Sequence, residues 1–383
     1  MRLGFRPFFL ASGAFAVVSM LVWFAAYNLN TPFPFAGLRP VTWHAHEMIY
    51  GYSLAVVTGF LLTAVGNWTG RPTLSGWPLF ALFLLWLLAR VAMLAGGEAE
   101  RVLAAVFDLL FVAGFTLAVT VPLVRAKRWQ DMAIVIKLVL LLVSNLVFFL
   151  GAAGYLENGV YQGLYSGLYL VLALIFMLSR RVLPFFIERG VDYPVELRNS
   201  KLLDIGSLVL FVGFWIADLV QPNGLTVALL GVGLFALHLW RWLGWYTSGI
   251  WKKPLLWSLY LAYAAIIAGF ALKAAVYAAG ISPYLALHAF AVGGVGMMTL
   301  GMMTRVALGH TGRSVFEPPA ALAWIFTVLG IAGLLRVLLP MLVPACHSLW
   351  ISLSQGLWII AFLAYFLLYF PILTRPRVDG QAG

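Results

Sequence analysis

The sequence predicts an all-α integral membrane protein that crosses the bilayer twelve times with both termini on the same side. Three observations predict it. Hydrophobic residues make up 63% of the 383 and charged residues only 10%, with a mean hydropathy of +0.98, too few charges to coat a water-soluble globule of this size. Apolar stretches of the length a bilayer core demands, roughly 20 residues, recur along the whole chain between Pro- and Gly-rich breaks. The 24 Lys and Arg residues also divide unevenly between the two sides that such crossings define.

In order, the stretches run over about 8–28, 42–66, 76–95, 101–121, 132–151, 160–182, 201–219, 225–246, 255–279, 283–308, 319–339 and 349–370. Thr31-Pro32-Phe33-Pro34, Gly70-Arg71-Pro72 and Glu317-Pro318-Pro319 are among the breaks between them. The first stretch follows Arg2-Leu3-Gly4-Phe5-Arg6-Pro7 with no small-residue cleavage pattern, so it is expected to stay as a helix. Nineteen basic residues fall on the side of the termini, and five fall opposite: Arg39, Arg90, Arg101, Lys273 and Arg336. The positive-inside rule makes the terminal side cytoplasmic. A missed or invented span would swap everything downstream and blur that split. The chain 1–383 reads as a single polytopic transmembrane domain, and its longest connection, Arg180 to Lys201, reads as a charged surface loop. A net charge of +11 placed in short loops sets topology, and nucleic acid is not an expected partner.

An internal repeat carries the histidines. The second stretch begins near His44-Ala45-His46-Glu47 and ends in Thr69-Gly70-Arg71, while the tenth begins near His288 and ends in Thr311-Gly312-Arg313. A constant offset of 242 pairs His46 with His288, Gly51 with Gly293, Gly59 with Gly301 and Arg71 with Arg313. Eight helices is two steps of a four-helix unit, which makes the sixth stretch the middle copy. That copy has Arg180-Arg181 but no histidine.

Ionisable groups at membrane depth are costly and point to function. Topology places His44, His46, His288 and His347 at the face opposite the cytoplasm. His310 lies roughly 33 Å further along its helix than His288, and His238 lies in the cytoplasmic half of its span. Imidazoles from two helices can hold a haem b, and the repeat makes His46 and His288 the first pair, with His44 as competitor. About 200° of helical rotation separates His44 from His46, so the two cannot share one seam. Glu47 is placed to orient an imidazole, and Asp108, mid-span, should face the interior. Cys346 and His347, joined by His44, offer soft ligands for copper, against the plainer reading of a lone thiol beside an interfacial histidine. The run from Met297 to Met303 reads as packing in a glycine-rich helix. Arg71, Arg313 and Arg305 are either topology anchors and helix-end partners or an anion site that would take haem propionates, with His310 and His238 nearby.

Several blocks in order resemble the NnrS family over nearly the full length: Phe5-Arg6-Pro7-Phe8-Phe9, Trp43-His44-Ala45-His46-Glu47-Met48, Asn67-Trp68-Thr69-Gly70-Arg71-Pro72, Arg180-Arg181-Val182-Leu183-Pro184 and Leu300 to Arg313. The resemblance implies a bacterial inner-membrane protein containing haem and copper, linked to denitrification and to tolerance of nitric oxide and nitrosative stress, and it marks His44, His46, His288 and His310 as motif positions. The family pattern often has a histidine after Pro254-Leu255-Leu256-Trp257, where this chain has Tyr260. The eight-helix offset is also similar to the haem-copper oxidase catalytic subunit, with its three four-helix arcs and a haem held between the second and tenth helices. The sixth and seventh stretches hold no histidine, so the three-His copper site of those enzymes has no ligands here. The expected function is haem-based binding, turnover or electron transfer with nitric oxide, with an electron donor as a further partner beside the lipid bilayer. The competing expectation is a membrane transporter of a metal or nitrosyl-metal species, which would be colourless.

Overall fold

A computed structural model of the chain describes residues 3–381. Among these there is no strand, and twelve helices are long and apolar enough to cross a membrane. They are α1 (Phe5–Asn28), α2 (Pro40–Thr69), α3 (Gly76–Leu94), α4 (Glu98–Arg125), α5 (Trp129–Ala152), α6 (Gly159–Gly190), α7 (Lys201–Val220), α8 (Leu225–Gly244), α9 (Pro254–Ala279), α10 (Pro283–His310), α11 (Ala321–Leu342) and α12 (Pro344–Thr374). The number of spans agrees with the sequence reading.

One boundary moves substantially. The sequence reading ends the sixth span near 182 and assigns a surface loop from Arg180, whereas α6 continues through Pro184 to Gly190. Leu183 and Ile187, one helical turn apart, are buried and carry the apolar face onward. Beyond the helix, the Glu188 carboxylate accepts the Leu197 N–H at 2.9 Å, so the remaining connection is tied back.

Two compact units make up the chain. The first comprises Met1–Leu174, Val306–Arg313 and Phe362–Gly383; the second comprises Ile175–Arg305 and Ser314–Ala361. The divisions at 174, 305 and 361 fall inside α6, α10 and α12, where no linker composition marks them in the sequence. In the first unit, α4 shows the helical two-sidedness expected of a lipid-facing span. Ala104, Phe111, Phe115 and Val119 are buried, while Leu103, Val106, Leu110 and Leu117 are exposed. In the second, α7 exposes Leu202, Ile205, Leu208, Val209, Val212 and Ile216 and buries Phe211 and Phe214.

The repeat has a structural counterpart. Both α2 and α10 open with a short α-helical turn and then widen into a π-helix, over Glu47–Ser53 in one and Ala289–Gly296 in the other. Glu47 and Ala289 are equivalent at the 242-residue offset, so both π-helices start directly after the paired His46 and His288. π-Helical stretches inside α-helices are rare and concentrate at functional sites. Gly59 in α2 lies under α1, where a Cβ would come within 2.9 Å of the Phe9 ring; Gly301 in α10 lies under α9, where a Cβ would come within 2.8 Å of Leu259. Both helices end on a left-handed glycine, Gly70 at φ 63° and Gly312 at φ 77°, the conformation that closes a helix most cheaply without a side chain.

Candidate functional site

Within the first unit, the opening turns of α2 deliver a network of charges with almost no solvent exposure. His46, Glu47, Asp108 and Asn145 are each 0% exposed, and Arg90 is 5% exposed. Arg90 donates to Glu47 Oε1 and to Asp108 Oδ1, both at 2.5 Å. Asn145 Nδ2 donates to Asp108 Oδ2 at 2.9 Å, which leaves Asn145 Oδ1 as an acceptor. The His46 ring sits between these groups, with Nδ1 3.0 Å from Glu47 Oε1 and Nε2 3.1 Å from Asn145 Oδ1 and 3.4 Å from Asp108 Oδ2. Both ring nitrogens therefore face oxygen atoms. Phe148, at 4.4 Å between ring centroids, and Phe149 close the apolar side, and the Tyr50 hydroxyl donates to Gly163 O at 2.7 Å and lies 2.9 Å from Ser144 Oγ.

The four residues that join His46 in this network differ in how legible they are in the sequence. Glu47 beside His46 and an inward Asp108 are as the sequence reading had them. Arg90, which that reading counted as a topology charge, is instead an interior ion-pair partner, as is Lys273 in the second unit, whose Nζ lies 2.8 Å from both oxygens of Asp218. Asn145 carried no signal of its own, being one polar residue in a long apolar run.

The other histidines are placed separately. His44 turns away from His46, as the helical rotation requires, and stacks on Trp23 of α1 at 4.6 Å and 8°. His288, in the second unit, is half-buried; its Nδ1–H donates to Tyr284 O at 2.8 Å, and its Nε2 accepts from Arg336 at 3.2 Å. His310 closes α10 in the first unit, 5.6 Å from the Phe5 ring and 3.5 Å from Asn67 Nδ2. His238 is 0% exposed, stacks on Phe176 at 4.2 Å and shares a 2.6 Å hydrogen bond with the Tyr263 hydroxyl. Cys346 and His347 are exposed at the start of α12. Among the described residues, no group of three or more His, Cys, Asp or Glu side chains is arranged to hold a metal ion.

At the end of α10 the two Thr-Gly-Arg turns part company. Arg71 is exposed, whereas Arg313 is half-buried and the chain that follows α12 is bonded to the turn before it. Arg6 donates to Leu373 O at 2.9 Å and Arg375 O at 2.7 Å, the Val378 N–H reaches Thr311 O, and Arg377 bonds His310 O at 3.0 Å and chelates Asp379. The Arg377 guanidinium holds the Asp379 carboxyl down to about 2.

The family model described as NnrS protein matches residues 1–377. The chain belongs to the NnrS family. Comparison with curated proteins returned no match.

A haem b in an NnrS protein would need an imidazole with a free lone pair, held in orientation by its other nitrogen. His288 fits: a backbone carbonyl takes its Nδ1–H, which leaves Nε2 as the acceptor side of the ring, where Arg336 donates to it. His46 does not fit as it stands, because both of its nitrogens are committed to oxygen acceptors. For copper, Cys346 and His347 supply a soft pair without a third donor among the described residues.

Proposed function

We propose that this NnrS-family chain is a haem-binding protein of the bacterial inner membrane that acts in the response to nitric oxide and nitrosative stress, with His288 as an iron ligand. The observation that carries the reading is the His288 ring, whose Nδ1–H is held by Tyr284 O and whose Nε2 is an acceptor. This is the tautomer and the support that metal-bound histidines use. A bound haem would supply an iron centre for nitric oxide binding or electron transfer. The residues of the chain have three tasks around it. Tyr284 fixes the ring, Arg336 must swing off Nε2, and the apolar spans admit a small uncharged gas through lipid. His46 stays with Glu47, Arg90 and Asp108 and ties α2 to α3, α4 and α5. Copper, if it binds, would involve Cys346, His347 or His44. The 19-to-5 split of basic residues supports cytoplasmic termini, the more so because Arg90 and Lys273, two of the five opposing charges, are interior ion-pair partners.

The test is the absorption spectrum of the purified chain with metal analysis. A Soret band lost in His288→Ala alone reports a single protein ligand. Loss in both His288→Ala and His46→Ala reports the two-histidine haem, and requires the His46 network to open on haem binding. A band unchanged in both variants sinks the reading, and a colourless protein that binds copper tightly turns it toward transport.

A further inference from the structure

Four basic side chains among the described residues are buried within spans: Arg90, Arg241, Lys273 and Arg305. Three of them are met by carboxylates. Arg90 meets Glu47 and Asp108, Arg241 meets Asp204 at 2.8 Å, and Lys273 meets Asp218 at 2.8 Å. Arg305 is 9% exposed and has neither an ion pair nor a hydrogen bond to any described residue. Its one neighbour of note is the Phe186 ring, 3.9 Å from the guanidinium carbon. A ring face offsets part of the desolvation of a cation but accepts none of the five N–H groups of a guanidinium. The donors that Phe186 leaves unmet need acceptors from outside the protein.

Arg305 lines a shallow cleft open to solvent, whose other walls include Gly190, Lys253, Pro254, Leu255 and Phe316. Pro254 is the first residue of α9, a helix of 26 residues, so the positive end of its dipole lies at the wall; Pro254 has no N–H and Lys253 O takes those of Leu256 and Trp257, which leaves the Leu255 N–H. Lys253 adds a second cation, held by Asp192 at 2.9 Å, and Glu317 follows Phe316 in the chain. Leu255 and Phe316 make the remaining surface apolar, and Phe316 is 56% exposed. A helix N-terminus, a buried arginine without a counter-ion and a surface lysine thus converge on one opening, with apolar surface beside it.

We propose that this pocket binds a phosphate group, in the form of the headgroup of an anionic phospholipid or as free phosphate. Its chemistry is that of basic pockets between membrane helices, in which a guanidinium grips phosphate oxygens while the acyl chains follow apolar rims. The Arg305 guanidinium takes the phosphate oxygens, the α9 terminus adds the Leu255 N–H, and Lys253 turns from Asp192 toward the bound anion. Phe186 keeps the guanidinium oriented while the site is empty. The reading is independent of haem.

The test uses the full-length chain purified in an uncharged detergent and then placed in nanodiscs of phosphatidylcholine, alone or mixed in equal parts with phosphatidylglycerol. Native mass spectrometry and total phosphorus should show one phosphatidylglycerol retained per chain. Arg305→Gln and Lys253→Gln should each lower that retention by about fivefold, while Arg189→Gln, which alters an exposed arginine outside the pocket, leaves it unchanged. In a second arm, lipid-depleted protein is titrated with sodium phosphate, and broadening of the phosphorus resonance that Arg305→Gln abolishes identifies free phosphate as the ligand. Should Arg305→Gln fail to fold, Lys253→Gln decides, since Lys253 lies at the rim. Retention and broadening that are absent in the wild type, or equal in the wild type and Lys253→Gln, overturn the proposal. The readout is phosphorus, so its failure leaves the haem reading standing, and a missing Soret band leaves this one standing.

Discussion

Removing Arg90 should be among the most damaging single changes available to the first unit. Its guanidinium spans two carboxylates, Glu47 and Asp108, at 2.5 Å each, and neither has any solvent exposure. With charge centres about 4 Å apart and an effective dielectric near 20, each attraction is worth about 4 kcal/mol before desolvation. Arg90→Met forfeits both attractions while the two carboxylates stay buried. The expected destabilisation is about 3–5 kcal/mol, the range for breaking a buried pair from one side. That corresponds to roughly two to four orders of magnitude in the folded-to-unfolded ratio. The assay is reversible unfolding in mixed micelles, with heat-induced loss of the monodisperse peak as a second measure. The decisive comparison adds Glu47→Gln and Asp108→Asn to Arg90→Met, because amides in place of the carboxylates remove the uncompensated charge and should restore most of the loss. If Arg90→Met lies within about 1 kcal/mol of wild type, or the triple variant is no better than the single one, the network is not held by charge balance and the reasoning is wrong.

Gly59→Ala and Gly301→Ala should each cost about 1–3 kcal/mol, since the new methyl groups would meet Phe9 at 2.9 Å and Leu259 at 2.8 Å; two variants as heat-stable as wild type would show that these helices have room to part. The Asp379 carboxyl lies below its ordinary value of 3.8, at about 2. Its contribution to the strap over the α10 turn is therefore complete above the ordinary value and lost as pH falls toward 2. Asp379→Asn at pH 7 should accordingly quicken amide exchange across 376–381, whereas the wild type changes little between pH 5 and 8. Tyr193 lies outside the spans, and hydrogen bonds from Ser248, Thr247 and the Gly249 N–H lower its ionisation below that of an ordinary tyrosine. An ultraviolet titration of Tyr193→Phe, subtracted from wild type, should isolate an early step among the fifteen tyrosines.

Much of this protein is legible in its sequence, because the signals are local. Span number follows from the length of apolar runs, and the opposite orientations of His44 and His46 follow from helical rotation alone. The repeat was visible as the His-to-Thr-Gly-Arg spacing, and the paired left-handed glycines and paired π-helices then appeared at the same offset. The extension of α6 past Pro184 was missed because two arginines look like a helix end, while the apolar pair Leu183 and Ile187 that continues the helix is short.

Tertiary structure alone decided which polar groups meet. Arg90 reaches Glu47 across 43 residues and Asp108 across 18, and His46 reaches Asn145 across 99; no spacing rule connects such positions, because packing of separate helices sets their distance. The same holds for what is left over. Arg305, Arg90 and Lys273 are alike in sequence, each a lone basic residue in an apolar span. Only the packing of neighbouring helices provides carboxylates for two of them and leaves the third facing an aromatic ring and an open pocket.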